Sequence, residues 1–209
     1  MKHYAFGPVF LALITVGTIA CSHDPVAQTR ELVASGNRYF HGGKYAEAAI
    51  EFRKALKVDP RSADAHYRLA ITDTKLGDWS SALAELQKTV DLEPANVQAQ
   101  LDFGNLLLAT HDLERAGQIA FAVLKSDPKN AGAHSLLANV SEARSQHDEA
   151  MKEIDQAIAL QPENAAFYLT RGLFQSNVNN LDAAEKRILT SLAKDPNNAD
   201  AVLNLAKMY

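Results

Sequence analysis

The chain has 209 residues, 47% of them hydrophobic, so it is long and apolar enough for one or two packed domains, and disorder over most of its length is excluded. Its 21 basic and 25 acidic residues leave a formal charge of -4. The basic residues are dispersed, which argues against a nucleic-acid partner, because phosphate binding needs a concentrated basic footprint.

Residues 1–20, "MKHYAFGPVFLALITVGTIA", carry one Lys near the start and then no acidic or basic charge before Ala20 apart from His3, with small residues leading to Cys21. This is the layout of a secretory signal. Its apolar core, Val9 to Ile19, is short for a spanning helix, which needs about 20 apolar residues. Cys21 is the only cysteine, so no intramolecular disulfide can form and the thiol calls for a reason. "GTIAC" resembles a bacterial lipobox, although Thr18 departs from the Leu usual three residues before the Cys. The resemblance implies cleavage before Cys21, acylation of Cys21 and a lipid anchor in the bacterial cell envelope. Ser22 favours the outer over the inner membrane. Ordinary cleavage near Ala20 with a free thiol, or an uncleaved segment, are the alternatives. Residues 21–28 read as a linker.

From Thr29 onward one period dominates. Pro60, Pro94, Pro128, Pro162 and Pro196 lie 34 residues apart, and two residues after each stands Ser62, Asn96, Asn130, Asn164 or Asn198. Proline lacks an amide donor and pushes the preceding residue out of the helical region, so it ends a helix. Ser or Asn then accepts from the free amides that start the next one. The predicted units are 29–62, 63–96, 97–130, 131–164 and 165–198, with a partial sixth at 199–209. Within each, the eighth place holds Gly36, Ala70, Gly104, Ala138, Gly172 or Ala206, and the twentieth holds Ala48, Ala82, Ala116, Ala150 or Ala184. Small residues at both places let two helices approach closely. Leu69, Phe103 and Leu137 at the seventh place and Phe52, Leu86, Ile154 and Ile188 at the twenty-fourth supply the bulk around that contact. The turns "HGGKY", "LGDW", "THDL", "SQHD" and "NNLD" are short and suit antiparallel helix pairs.

These places resemble the tetratricopeptide repeat over residues 29–209, best in the first unit with Leu32, Gly36, Tyr39, Ala48, Phe52, Ala55 and Pro60. The resemblance implies an all-α fold, a right-handed α-solenoid of antiparallel helix pairs with five full repeats and the first helix of a sixth. Asp73, Ser141 and Gln175 at the eleventh place and Arg171 at the seventh depart from the pattern and suggest looser packing in units four and five. The family's concave groove is lined by the first helices. Here its fifth and ninth places give Val33, Asn37, Tyr67, Ile71, Leu101, Asn105, Ser135, Asn139, Leu169 and Leu173 as candidate groove residues. Asn offers both a donor and an acceptor, the pair needed to hold an extended peptide backbone. A solvated helix face, or half-buried packing for the apolar places, explains the same residues equally well. Chaperone-adaptor members clamp a C-terminal carboxylate with a Lys at the fifth place, and none stands there, so recognition of an acidic C-terminus is not expected.

No reactive constellation appears: there is no H-E-x-x-H, Cys pair, G-x-S-x-G or dinucleotide fingerprint. His66 and His134 share the fourth place but stand two units apart, too far for a ligand pair, and read as packing or surface histidines. Trp79 reads as a packed anchor. The expectation is a non-enzyme without cofactor or metal: a membrane-tethered scaffold that binds a protein or peptide segment in assembling an envelope complex. Two alternatives are a pilotin-like factor for a type IV pilus or secretin, whose lipobox-and-repeat layout is similar, and an N-terminal fragment of a longer exopolysaccharide or exosortase-system protein or of an enzyme. The terminal "ADAVLNLAKMY" presents Val202, Leu205, Ala206 and Tyr209 on one face with no partner helix, which reads as truncation or as a face for a second copy.

Overall fold

The structure, a computed structural model, describes residues 24–209. The expected signal segment and Cys21 lie outside the described residues. Eleven helices follow one another among the described residues: α1 (Pro25–His41), α2 (Tyr45–Val58), α3 (Ala63–Leu76), α4 (Trp79–Leu92), α5 (Val97–Ala109), α6 (Leu113–Ser126), α7 (Ala131–Ala143), α8 (His147–Leu160), α9 (Ala165–Asn177), α10 (Leu181–Lys194) and α11 (Ala199–Ala206). Odd-numbered helices are the first of each unit and even-numbered ones the second, and each packs on its neighbours in sequence to give an α-solenoid. Within the expected linker 21–28, the described residues are already helical from Pro25. Asp24 accepts from the Val26 amide at 3.0 Å and Pro25 occupies the first helical position, so 25–28 form the opening turn of α1.

The punctuation between units works as its chemistry dictates. Ser62 Oγ accepts from the Ala65 amide at 3.3 Å, and Asn96, Asn130 and Asn198 Oδ1 accept from the amides of Ala99, Ala133 and Ala201 at 3.1, 3.0 and 3.0 Å. Asn164 accepts from Ala166 at 3.1 Å. Five caps of about 1 kcal/mol each thus fix where every following first helix starts.

The core is one seam repeated. Ala48, Ala82, Ala116, Ala150 and Ala184 are all 0% exposed. A Cβ on Gly36 would run into the Phe52 ring, and one on Gly172 would come within 2.9 Å of Ile188. Unit three solves the contact differently. Its twenty-fourth place is Ala120, and Leu136 of the next unit reaches back over Gly104 to fill the space.

The atypical eleventh places are buried like Leu107: Asp73 is 1% exposed, Ser141 4% and Gln175 8%. At the seam of units four and five an ion pair takes over from apolar packing, with Arg171 Nε and Nη2 donating to Asp155 Oδ1 and Oδ2 at 2.5 and 3.1 Å. Trp79 corrects the expectation of a packed anchor: it stands at the first position of α4, on the rim of the turn, and is 49% exposed.

Each turn inside a unit uses one left-handed residue at the fifteenth place: Gly43, Gly77, His111, Ser145 and Asn179, with φ of 72°, 77°, 67°, 61° and 59°. Side chains other than Gly pay a steric cost there of about 1–2 kcal/mol. Ser145→Gly is therefore expected to stabilise the chain by roughly 0.5–1 kcal/mol after the added freedom of unfolded glycine is subtracted. Gly77→Ala should destabilise it by about as much. Urea midpoints measure both, and an unchanged pair would refute left-handed strain in these turns.

Candidate functional site

The face made by the odd-numbered helices contains two hollows. The first, about 150 Å³, lies between α1 and α3 and is lined by Asn37, Phe40, Phe52, Tyr67, Arg68 and Ile71. The second, about 450 Å³, runs across α5, α7 and α9, with Leu101, Asn105 and Ser135 along it and Gln98, Asn130, Gln161, Asn164 and Phe167 around them. None of the residues lining the second hollow carries a charge. Asp102 ties the stretch between the two, accepting from Tyr67 Oη at 2.7 Å and from Gln98 Nε2 at 3.0 Å. Burial, reinforced by the bond to the Asp102 carboxylate, pushes the Tyr67 phenol up to about 12. Its hydroxyl stays a donor and the strap between α3 and α5 persists throughout the neutral range.

Six of the ten predicted groove residues line these hollows: Asn37, Tyr67 and Ile71 the first, Leu101, Asn105 and Ser135 the second. Val33 is 7% exposed and faces a separate recess beside Asp59 and Ser62. Leu169 and Leu173 are half-buried on α9 outside both hollows. Asn139 donates from Nδ2 to its own helix, to the Ser135 carbonyl at 3.0 Å, which uses up part of the pairing a peptide would need. Asn37 and Asn105 make no side-chain hydrogen bond among the described residues, and Asn105 is exposed. Asn130, Gln161 and Asn164 read in the sequence only as turn and cap residues, and their place beside the hollow is missed there. Their recurrence with the unit period was the available signal, since it sets amides along the same rim as the ninth-place asparagines.

The fourth-place side chains share one task. His66 Nε2 and His134 Nε2 each lie 3.1 Å from the carbonyl oxygens of Pro60 and Pro128. Gln100 Nε2 donates to the Pro94 carbonyl at 2.5 Å and Tyr168 Oη to that of Pro162 at 3.0 Å. Each holds the turn that joins its unit to the one before.

Two family models match these repeats, described as tetratricopeptide repeat over residues 74–140 and TPR repeat over 36–72. Residues 36–72 and 74–140 are thus tetratricopeptide repeats. A thermophilic TPR protein of Thermus thermophilus has a similar fold with a TM-score of 0.74 at 22% identity, over 86% of this chain and 98% of that one. The structure of pilF from Pseudomonas aeruginosa gives 0.69 at 21% identity, over 88% and 85%. Mouse sperm-associated antigen 1 is 33% identical over 105 residues, 50% of this chain and 12% of the mouse protein. The chain thus spans only a small part of the curated relatives it matches first.

In the TPR stack, Asp73 is the buried carboxylate whose environment departs furthest from water. Its Oδ1 accepts from Arg53 Nη2 of α2 at 3.1 Å, while Oδ2 is buried without a partner. Burial raises its pKa to about 6 from 3.8, with Asp78 and Glu85 adding to the rise and Arg53 opposing it. The folded chain therefore binds this proton more tightly than the unfolded chain. The contribution is fully present below about pH 4 and is lost as pH rises through about 6, with ionised Asp73 costing on the order of 2–3 kcal/mol at neutral pH. Asp73→Asn is expected to flatten that component and to raise stability near pH 7.5 by about 1–2 kcal/mol in urea titrations. Equal pH slopes in the two proteins would overturn this assignment.

Proposed function

We propose that this TPR protein is a non-catalytic scaffold that holds an extended segment of a partner protein along the face of its odd-numbered helices. The observation that supports it most is the second hollow, where amide side chains from units three and four line an uncharged recess that Phe167 of unit five borders. Amides pair with a peptide backbone without reading its sequence, and Leu101 and Phe167 offer apolar contact beneath it. A charged partner side chain buried in this recess would find no counter-charge, which favours neutral segments. The first hollow, with Phe40 and Ile71, has room for one aliphatic side chain of the same segment.

Asn105 and Asn139 separate this reading from a merely solvated helix face. Asn105→Glu should cut binding at least tenfold, whereas Asn139→Ala, which removes an amide already bonded to its own helix, should change it less than threefold. A photo-crosslinker at position 105 in the native host should capture a discrete partner, and the same probe at Phe121, exposed on α6, should not. Equal capture at the two positions would sink the groove.

The reading includes attachment to the bacterial envelope through an acylated Cys21, on the outer membrane's periplasmic side. Several acyl chains give durable attachment where one binds marginally. Radioactive palmitate should label the chain and the label should vanish in Cys21→Ala; labelling that survives the substitution, or none in the parent, removes the anchor from the proposal. The like-sized solenoid of Pseudomonas aeruginosa pilF is in keeping with a second reading, a pilotin-like assembly factor for a type IV pilus or secretin.

A further inference from the structure

We propose that units two and four contain proton-operated clasps that tighten two alternate joints of the solenoid, independently of what the groove binds. In each, one imidazole spans three elements. His66 on α3 sits with Nε2 3.1 Å from the Pro60 carbonyl of the preceding turn and Nδ1 2.5 Å from Glu85 Oε2 on α4. His134 on α7 repeats this with Pro128 at 3.1 Å and Glu153 Oε2 on α8 at 2.6 Å.

Both partners of each ring are acceptors by nature, a peptide carbonyl and a carboxylate. An imidazolium has two N–H groups and satisfies both; a neutral ring has one and must turn a lone pair toward the other oxygen. Losing the proton therefore strands either the carbonyl that closes the joint or the carboxylate. The carboxylate is costly to strand in unit four, where Glu153 is only 8% exposed. The neutral ring there keeps its Glu153 bond and releases the turn.

The chain contains its own controls. In units three and five the fourth place holds Gln100 and Tyr168, which donate to Pro94 and Pro162, and the residue opposite is Ile119 or Arg187 instead of a carboxylate. Both fourth-place histidines face a Glu at the twenty-third place; unit one, with Glu51 there, has Leu32 at its fourth place and so no ring to pair with it. The joints before units three and five have donors whose hydrogen bonds do not change near neutral pH, so only the joints before units two and four respond.

The charged groups on the packed elements divide the two clasps. Around His66, α2 brings Arg53, bridged to Asp73 of α3; α3 also brings the Asp64–Arg68 pair, and α4 brings Glu85 after its capping Asp78. The turn before α3 contributes Asp59, whose carboxylate accepts from the Arg61 amide. Around His134, the turn contributes Asp127, bonded to the Lys129 amide and Asn130, and α8 brings Glu153 with the Glu149–Lys152 pair. Asp73, whose carboxyl pKa is raised by burial, lies near the first clasp.

Amide hydrogen exchange of the full chain, corrected for intrinsic rates, tests the proposal. Between about pH 5.5 and about pH 8 the Ser62, His66, Asn130 and His134 amides should lose protection by about fivefold, the loss of one ordinary hydrogen bond, while Asn96, Gln100 and Asn164 should hold theirs. His66→Gln and His134→Gln copy the donor of unit three, so they should fold and should abolish the pH response at their own joint alone. Glu153→Gln gives a second route to the same loss, and Asp73→Asn should leave the response in place. A uniform change at all four joints, no change at any, or a response that survives both histidine substitutions would overturn it.

Discussion

The alanine at the twentieth place, with no exposed surface in any of the five full units, is the contact on which the solenoid depends. It presses the second helix of a unit against the first, and the eighth-place Gly or Ala accepts the ring or methyl that comes across. Space there is so tight that a single Cβ on Gly36 or Gly172 has nowhere to go. Because the second helix cannot slide at that point, the turn after it emerges at a fixed height. The Pro and the Ser or Asn cap then convert that height into the start of the next first helix. Close approach and punctuation together fix the phase, and the phase decides which side chains reach the open face.

That dependence explains why the second hollow is amide-rich and uncharged. The cap residues stand on the same rim as the fifth and ninth places of the following helices, so a cap chosen for stability also lines the recess. Asn130 illustrates the double use: its Oδ1 caps α7, its Nδ2 reaches Asp127, and its outer edge borders the second hollow. A charged cap there would have served the helix equally well. The amide does so without placing a charge in the recess.

The period, the helix pairs, the caps and the seam were legible because each rests on local chemistry: proline's missing donor, the size of alanine, the side-chain oxygen of asparagine. Six of the ten candidate positions line one or other of the two hollows. What the pattern leaves out are interactions that a linear sequence does not contain. Whether Asn139 faces a partner or its own helix depends on a rotamer, and the Ser135 carbonyl one turn earlier takes it. Val33 lies at the first joint, where its fifth place is covered and not open. Residue type alone makes Trp79 an anchor, and its position at the lip of a turn outweighs the indole's preference for burial. Arg171 looked like a defect in apolar packing, yet Asp155 across the seam receives it with two hydrogen bonds.

The polar side chains inside the stack share a pattern that the apolar consensus hides. The turn between units exposes a carbonyl at each Pro, and an α-helical stack has no strand or ladder to satisfy it. Four units recruit their fourth-place side chain to do so, with three different chemistries. Glutamine and tyrosine accomplish this with a donor that neutral pH leaves alone. Histidine does it only in company with a carboxylate on the facing helix, and the buried Glu153 in turn needs the histidine. Each of these pairs is tolerable only as a pair, since either member alone would leave an acceptor or a charge unmatched in a half-buried space. The joint, the ring and the carboxylate are therefore one structural element, spread along the chain from Pro128 to Glu153 and invisible to any window much shorter than a unit.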